Sequence, residues 1–310
     1  MRTSVIFYDL FLFYDANIVA LKRNKDVKLE FEAGMKTEDR YTRNILIENI
    51  GQEGQEKLKT AKVLVIGAGG LGSPVLFYLA AAGVGTLGIV DDDTVNISNL
   101  QRQILHRTND IGSDKILSAG EKLSDLNPEV KIVVYNERFT EENAAGLIEG
   151  RVAGRFINHA SSVISRPERG EDHIKDLPSG SAGEYDFVVD CCDNYKTKIL
   201  INDICVAMGK PYSHGAVVAM HGEVMTYVPG AACYRCVFDI PPEDGKLPTS
   251  SEIGILGAVA GIVGCIQATE TLKYLVGMND LITNRILIID AKTMNFVSLK
   301  VKINDKCRCR

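Results

Sequence analysis

The stretch VLVIGAGGLGS at residues 63–73 limits what this chain can fold into more than any other. Four apolar residues run directly into glycines at 67, 69 and 72, which is the G-x-G-x-x-G spacing. A short apolar run ahead of such a turn reads as a buried strand. The glycines allow a tight turn and let a pyrophosphate approach the N-terminus of the helix that follows, where unpaired N–H groups and the helix dipole favour an anion. The stretch alone leaves NAD, FAD and ATP open.

The rest of the chain repeats the unit. After strand 62–66 comes a helix over about 73–82, then a second strand at 86–90 (TLGIV) ending in Asp91-Asp92-Asp93. A helix over about 115–125, a strand at 131–135 and a buried run at 185–190 (YDFVVD) follow. Alternating strands and helices predict an α/β fold: a Rossmann-like, doubly wound, mostly parallel sheet. Helix 195–208, strands around 215–228, a glycine-rich helix over 252–276 and a strand pair at 285–290 and 295–303 give it an antiparallel C-terminal portion. Residues 38–60 read as helical with a break at Gly51. Residues 35–310 are expected to form one domain.

Two segments fall outside the pattern. Residues 151–184 are rich in Gly, Ser, Pro and charge with little apolar periodicity, so they read as a surface loop insertion whose His159 and His173 are solvated. Residues 1–34 are aromatic and apolar at first, but Asp9 and Asp15 interrupt the run and no small-residue cleavage site follows. Met35 then opens a natural-looking start, so 1–34 are expected to be a dispensable extension. Eight cysteines, two adjacent at Cys191 and Cys192, suit a reducing cytoplasm, and 310 residues need no disulfides to hold a core. A net charge of -5 and a pI near 5.7 argue against nucleic acid or a membrane surface as partner.

Asp91 ends the second strand, where a dinucleotide fold places the acid that holds ribose hydroxyls. Asn99, Gln101, Arg102 and Gln103 follow within a dozen residues, and then Lys115. A nicotinamide cofactor has no use for so many cationic and amide groups, whereas a triphosphate attacked at its α-phosphorus needs them, because charge grows on the leaving pyrophosphate. Asp193 ends a later strand at the same edge and is a candidate Mg²⁺ ligand. The set points to ATP.

With those residues in view, the chain resembles the adenylating enzymes of the ThiF/MoeB/HesA family, which activate ubiquitin-like sulfur-carrier proteins and are related to the ubiquitin-activating enzymes. The resemblance rests on R-Y-T-R at 40–43, G-A-G-G-L-G-S at 67–73, the run from Asp91 to Gln103, G-x-x-K at 112–115, C-x-D-N at 191–194 and C-Y-R-C at 233–236. It implies a nucleotide site of Gly67, Gly69, Gly70, Leu71, Gly72, Asp91, Asp93, Ser98, Asn99, Gln101, Arg102, Lys115, Asp193 and Asn194. Within it Asp91 would take the ribose, Asn99, Arg102 and Lys115 the phosphates, and Asp193 magnesium. Arg43 would reach the γ-phosphate in the neighbouring subunit of a homodimer.

The implied reaction is attack by a carrier's C-terminal carboxylate on the α-phosphate of ATP, giving an acyl-adenylate and pyrophosphate. The carrier would be a small protein ending in Gly-Gly, in thiamine or molybdopterin biosynthesis or a related sulfur pathway. The family closes a Cys₄ zinc site with a second C-x-x-C near the C-terminus; here Cys233 and Cys236 face a shorter C-x-C at Cys307 and Cys309. Many members carry a cysteine between C-Y-R-C and the glycine-rich helix. Here that segment has none and Ser250 stands near the matching position, so sulfur is expected from an external persulfide or sulfide. Cys192 is the alternative thiol. Other readings are a threonylcarbamoyladenosine dehydratase-like enzyme, which the acidic pI disfavours, and an NAD-dependent oxidoreductase, for which Arg102 and Lys115 would have no purpose.

Overall fold

A computed structural model describes residues 40–157, 178–238 and 250–309, the side chains of 250 and 251 excepted. The first strands fall where the apolar runs put them: β1 (Lys62–Ile66), β2 (Thr86–Val90) and β3 (Lys131–Tyr135). They are followed by β4 (Gly154–Ile157), β5 (Ser179–Gly180), β6 (Phe187–Asp190), β7 (Tyr212–Val218), β8 (His221–Tyr227), β9 (Arg285–Asp290) and β10 (Asn295–Lys300). Together they make one ten-stranded sheet in the order β10-β9-β8-β7-β6-β1-β2-β3-β4-β5. The five strands from β7 through β6, β1 and β2 to β3 are parallel. Both flanks are antiparallel.

Strands buried on both faces explain why the sequence shows unbroken apolar runs here. Val63 and Val65 point into one core, with Val75, Leu79, Leu123 and Val263; Leu64 and Ile66 point into the other, with Leu147, Ile201 and Cys205. The helices covering the first face are α2 (Gly51–Thr60), α3 (Gly72–Ala81), α4 (Lys115–Leu126) and α9 (Gly257–Val276). The second face carries α5 (Ala144–Ile148) and α6 (Tyr195–Ala207). Shorter helices are α1 (Thr42–Ile45), α7 (Tyr234–Val237) and α8 (Ser250–Ile253). The helical stretch expected over 38–60 with a break at Gly51 is two helices, α1 and α2, the second beginning at Gly51. The one expected from 252 is also two, broken near the positive-φ Gly254.

The segment 151–184 is not loop at its ends. Residues 154–157 pair antiparallel with β3, and 179–180 pair with 154–155. Gly154 and Ile157 are buried while Arg155 and Phe156 are only half-buried, so this edge needs little apolar sequence. Antiparallel pairing therefore occurs on both flanks of the sheet, not only at the C-terminal one. Residues 158–177, with His159 and His173, lie outside the described residues, as do 1–39. Among the described residues no helix is long and apolar enough to cross a membrane.

Candidate functional site

The chain runs outward from β1 through β2 and β3, then returns to lay β6 on the other side of β1. Doubly wound sheets bind ligands at such a reversal, outside the carboxyl ends of the strands. The turn leaving β1 lies there. Gly67 has φ 102° and its amide N–H donates to Val90 O at 2.8 Å. A Cβ on Gly67 would stand 2.7 Å from Cys191 O, just past β6, and a Cβ on Gly72 would collide with the Gly67 carbonyl. These two glycines let the β1 turn, the start of α3 and the β6 turn share one small space.

Asp91, leaving β2, braces the glycine turn. Its Oδ2 accepts from Ala68 N–H at 2.8 Å and its Oδ1 from Asp93 N–H at 2.9 Å. Burial pushes its carboxyl pKa up against the opposing pull of Lys115 and the two N–H donors. Lys115, the first residue of α4 and almost fully buried, places Nζ 2.9 Å from Asp93 Oδ2. Arg102 lies along Gly70 and donates to Ser98 O at 3.2 Å; Gly70 has Ala260 of α9 beside it. The Asn99 carboxamide is engaged locally, accepting from Asn96 N–H at 3.1 Å. Leu71 is buried, so only its backbone faces the turn. Ser98 and Gln101 are exposed near Arg102, Gln101 reaching Ile255 O at 3.4 Å.

Two further residues stand here, Gln103, read from the sequence only as one of the amide groups after Asp91, and His106, which the sequence did not single out. Gln103 is buried against Gly69, and its Oε1 has no partner among the described residues. A buried carbonyl oxygen left without a donor costs about 1–3 kcal/mol. His106 is buried too. Its Nε2 lies 2.9 Å from Ala68 O and its Nδ1 2.8 Å from Ser118 Oγ, which fits a neutral ring donating from Nε2. Burial holds its pKa below the usual histidine value.

Asp193 extends beyond the end of β6 with its carboxylate exposed and without a partner among the described residues. An exposed, unpaired carboxylate at the switch point suits a hydrated Mg²⁺, which needs only one or two protein oxygens. Asn194 is the N-cap of α6, its Oδ1 accepting from Thr197 N–H at 2.9 Å. Behind the turn, burial pushes the Cys191 and Cys192 thiols well up, so neither is a ready thiolate. Residues 239–249 and the Ser250 side chain lie outside the described residues.

Arg43 is set apart from all of these. It is exposed on α1, whose neighbour Tyr41 packs against Gly83 and bonds Asn127, both at the amino edge of the parallel strands. The chain's own crevice is at the opposite edge.

The cysteine pairs do meet. The Sγ atoms of Cys233, Cys307 and Cys309 lie within 4.8 Å of one another, and Cys233 Sγ is 3.5 Å from Cys307 Sγ and 3.8 Å from Cys236 Sγ. Thiolates around a tetrahedral zinc stand about 3.8 Å apart, given Zn–S bonds of about 2.3 Å. Cys233, Cys307 and Cys309 are therefore spaced as three thiolates of a zinc site would be despite the shorter C-x-C, with Cys236 beside Cys233 but outside that mutual distance. Hydrogen bonds from Cys309 and then Cys307 lower the Cys233 pKa to about 5. Cys309 also contacts Asp203 Oδ1 at 3.1 Å, and Arg235 clamps that carboxylate at 2.6 and 2.7 Å.

Sheet order and crevice define a doubly wound α/β protein with a phosphate-type glycine turn at its switch point. Residues 41–310 match the ThiF family, and the chain belongs to it. The SAMP-activating enzyme E1 of Haloferax volcanii is 38% identical over 269 residues, covering 87% of each chain. The sulfur carrier protein adenylyltransferase of Thermus thermophilus is 39% identical, covering 87% of this chain and 89% of its own. Among solved structures, E. coli MccB with MccA-N7isoASN superposes with TM-score 0.69 at 22% identity, over 90% of this chain and 76% of that one, a likeness of fold.

Proposed function

We propose that this protein uses ATP to adenylate the C-terminal carboxylate of a small ubiquitin-like sulfur-carrier protein. The observation that carries the reading is the convergence of the Gly67–Gly72 turn, Arg102, Lys115 and the unpaired Asp193 on one edge of the switch point. A carrier carboxylate oxygen attacks the α-phosphorus, the bond to the bridging oxygen of the β-phosphate breaks, and pyrophosphate leaves with that electron pair. The chain supplies position and charge, and no enzyme nucleophile is required. Asp91 already spends one lone pair of each oxygen on Ala68 and Asp93, leaving the others for ribose hydroxyls. Lys115 has three donors and only one is turned to Asp93. Asp193 would hold Mg²⁺, whose charge offsets that on the phosphates.

The same proposal includes a homodimer in which Arg43 completes the partner's site. Its distance from its own crevice supports this, as do the exposed Leu46 and Ile47 that follow it and the exposed Tyr78 on α3. It also includes zinc on Cys233, Cys236, Cys307 and Cys309, sulfur supplied by an external donor, and a cytoplasmic location. The test is carrier-dependent ATP–pyrophosphate exchange against a panel of small proteins ending in Gly-Gly. Exchange with none of them, under conditions where ATP binds, would remove the carrier reading.

A further inference from the structure

A second polar cluster lies beneath the site, and the adenylation reading assigns it nothing. Asp190, the last residue of β6, is fully buried and its carboxylate is surrounded. Lys198 of α6 places Nζ 3.2 Å from both oxygens and also donates to Gly215 O at 2.6 Å. His214 of β7 places Nδ1 2.8 Å from Oδ2. Asp190 Oδ1 accepts from Cys192 N–H at 3.1 Å, inside the turn that leads to Asp193. Gln267 of α9 holds the Asp190 carbonyl at 2.8 Å.

His214 is the unusual member. It is 1% exposed, with its ring against Tyr234 at 4.2 Å between centroids. Its second nitrogen, Nε2, lies 3.3 Å from Glu223 Oε1 on β8. The ring thus has a carboxylate at each nitrogen, and it joins β6, β7 and β8 across the sheet. If it served packing alone, an apolar side chain would do as well without burying three ionisable groups, Asp190, Lys198 and His214. Asp190 is what its Nδ1 holds, and the other oxygen of that carboxylate pins the Cys192 N–H. The ring therefore acts on the turn from which Asp193 projects.

We infer that His214, tethered by Glu223, is a positioning residue: through Asp190 it fixes the 190–194 turn so that the Asp193 carboxylate is held where a magnesium-bound triphosphate meets it. This rests on the adenylation reading, because it needs Asp193 to serve the metal–nucleotide complex. His214 touches neither, so its loss moves the metal-dependent part of nucleotide binding and leaves the glycine turn, Asp91 and Arg102 as they were.

The experiment is calorimetric titration of the full chain with ATP, in excess Mg²⁺ and again in EDTA, with no carrier present. In the parent protein Mg²⁺ tightens ATP binding at least tenfold, and Asp193→Asn abolishes most of that gain. His214→Ala is expected to cut the gain at least fivefold while ATP affinity in EDTA stays within twofold. His214→Asn, which keeps a donor toward Asp190, is expected to restore at least half of it. If His214→Ala is too unstable to isolate, Glu223→Ala takes its place and must cut the gain at least threefold. A variant that melts earlier but keeps the full Mg²⁺ gain overturns the inference, as does His214→Asn behaving like His214→Ala. Failure of the parent protein to bind ATP at all would instead overturn the adenylation reading.

Discussion

Lys115 Nζ sits 2.9 Å from the Asp93 carboxylate, and the Lys115 backbone N–H donates to Asp93 O at the same distance. The side chain is almost wholly buried while Asp93 is exposed, so the amine is delivered to the crevice from the start of α4 on a fixed stem. Replacing Lys115 with Met keeps most of the packing and removes the charge. Carrier-dependent pyrophosphate exchange is expected to fall at least 10²-fold, equivalent to about 2.7 kcal/mol of transition-state stabilisation. Arg102→Ala is expected to do the same. Near-normal exchange in both variants would remove them from the phosphate site.

The glycine turn is latched from below by His106, which gives a pH dependence with a definite sign. Burial lowers its pKa below 6.5, so its contribution to stability is complete above pH 6.5 and is lost as pH falls through the lower folded value. Asp110, held low against desolvation by the Lys122 amine 2.6 Å away, loses its contribution only below 3.8, in a separate window. Urea midpoints at pH 7.5, 6.5 and 5.5 are expected to fall with acidification in the parent protein and to fall less in His106→Gln. Equal slopes would mean that His106 does not couple to folding.

Much of this architecture is legible in the amino-acid sequence, and the reason is burial. Lys62–Ile66, Thr86–Val90 and Lys131–Tyr135 sit inside the sheet with both faces covered, so each shows as an apolar run with the bounds it has in the fold. The candidate site was readable because Gly67, Asp91 and Asp193 each stand just past a strand's carboxyl end. The strand at 154–157 was not legible, because a short strand near the sheet edge with half-buried Arg155 and Phe156 carries no such run. Neither was the link from Asp190 to Lys198, His214 and Glu223: each belongs to a different element, and the sheet register and the packing of α6 bring them together. Cys307 and Cys309 were legible as candidates, while their approach to Cys233 depends on how the tail returns past α7 and α6.

Zinc on the cysteine cluster is expected at one ion per chain by elemental analysis. Cys307→Ser removes a buried thiol of the cluster and is expected to reduce that stoichiometry well below one. A structural zinc contributes folding free energy directly, so loss of about 2 kcal/mol would lower the melting midpoint by about 5 °C. A chelator is expected to produce the same shift in the parent protein and none in the variant. Full metal content in Cys307→Ser would exclude that residue as a ligand.

A chain beginning at Met35 is expected to fold and to support exchange at the parent rate, because the ThiF match begins at residue 41. The measurements are solubility, melting midpoint and exchange. An insoluble or inactive truncation would make residues 1–34 structural.

The last expectation concerns sulfur. After adenylation a thiolate of the enzyme could displace AMP from the acyl-adenylate and form a thioester, but the chain offers poor candidates. Cys191 and Cys192 lie closest to Asp193, and burial with the Asp190 charge beside them raises both thiols far from ionisation near neutral pH. Cys205 is fully buried in α6, and Cys233, Cys236, Cys307 and Cys309 form the metal-type cluster. Cys265, on α9, is partly exposed and also raised by burial. The segment 241–249 contains no cysteine. The acyl-adenylate is therefore expected to persist until an external sulfur nucleophile attacks its carbonyl and expels AMP: sulfide leaves the thiocarboxylate directly, whereas a persulfide leaves an acyl disulfide that a second thiol cleaves to the thiocarboxylate, the donor departing as a disulfide. Enzyme, ATP and carrier are incubated together, then resolved on a non-reducing gel and by intact mass. The expected products are free carrier, carrier-adenylate and unmodified enzyme. An enzyme–carrier adduct cleaved by hydroxylamine or a reductant would show that an internal cysteine is the acceptor, and its mapped position would identify which one.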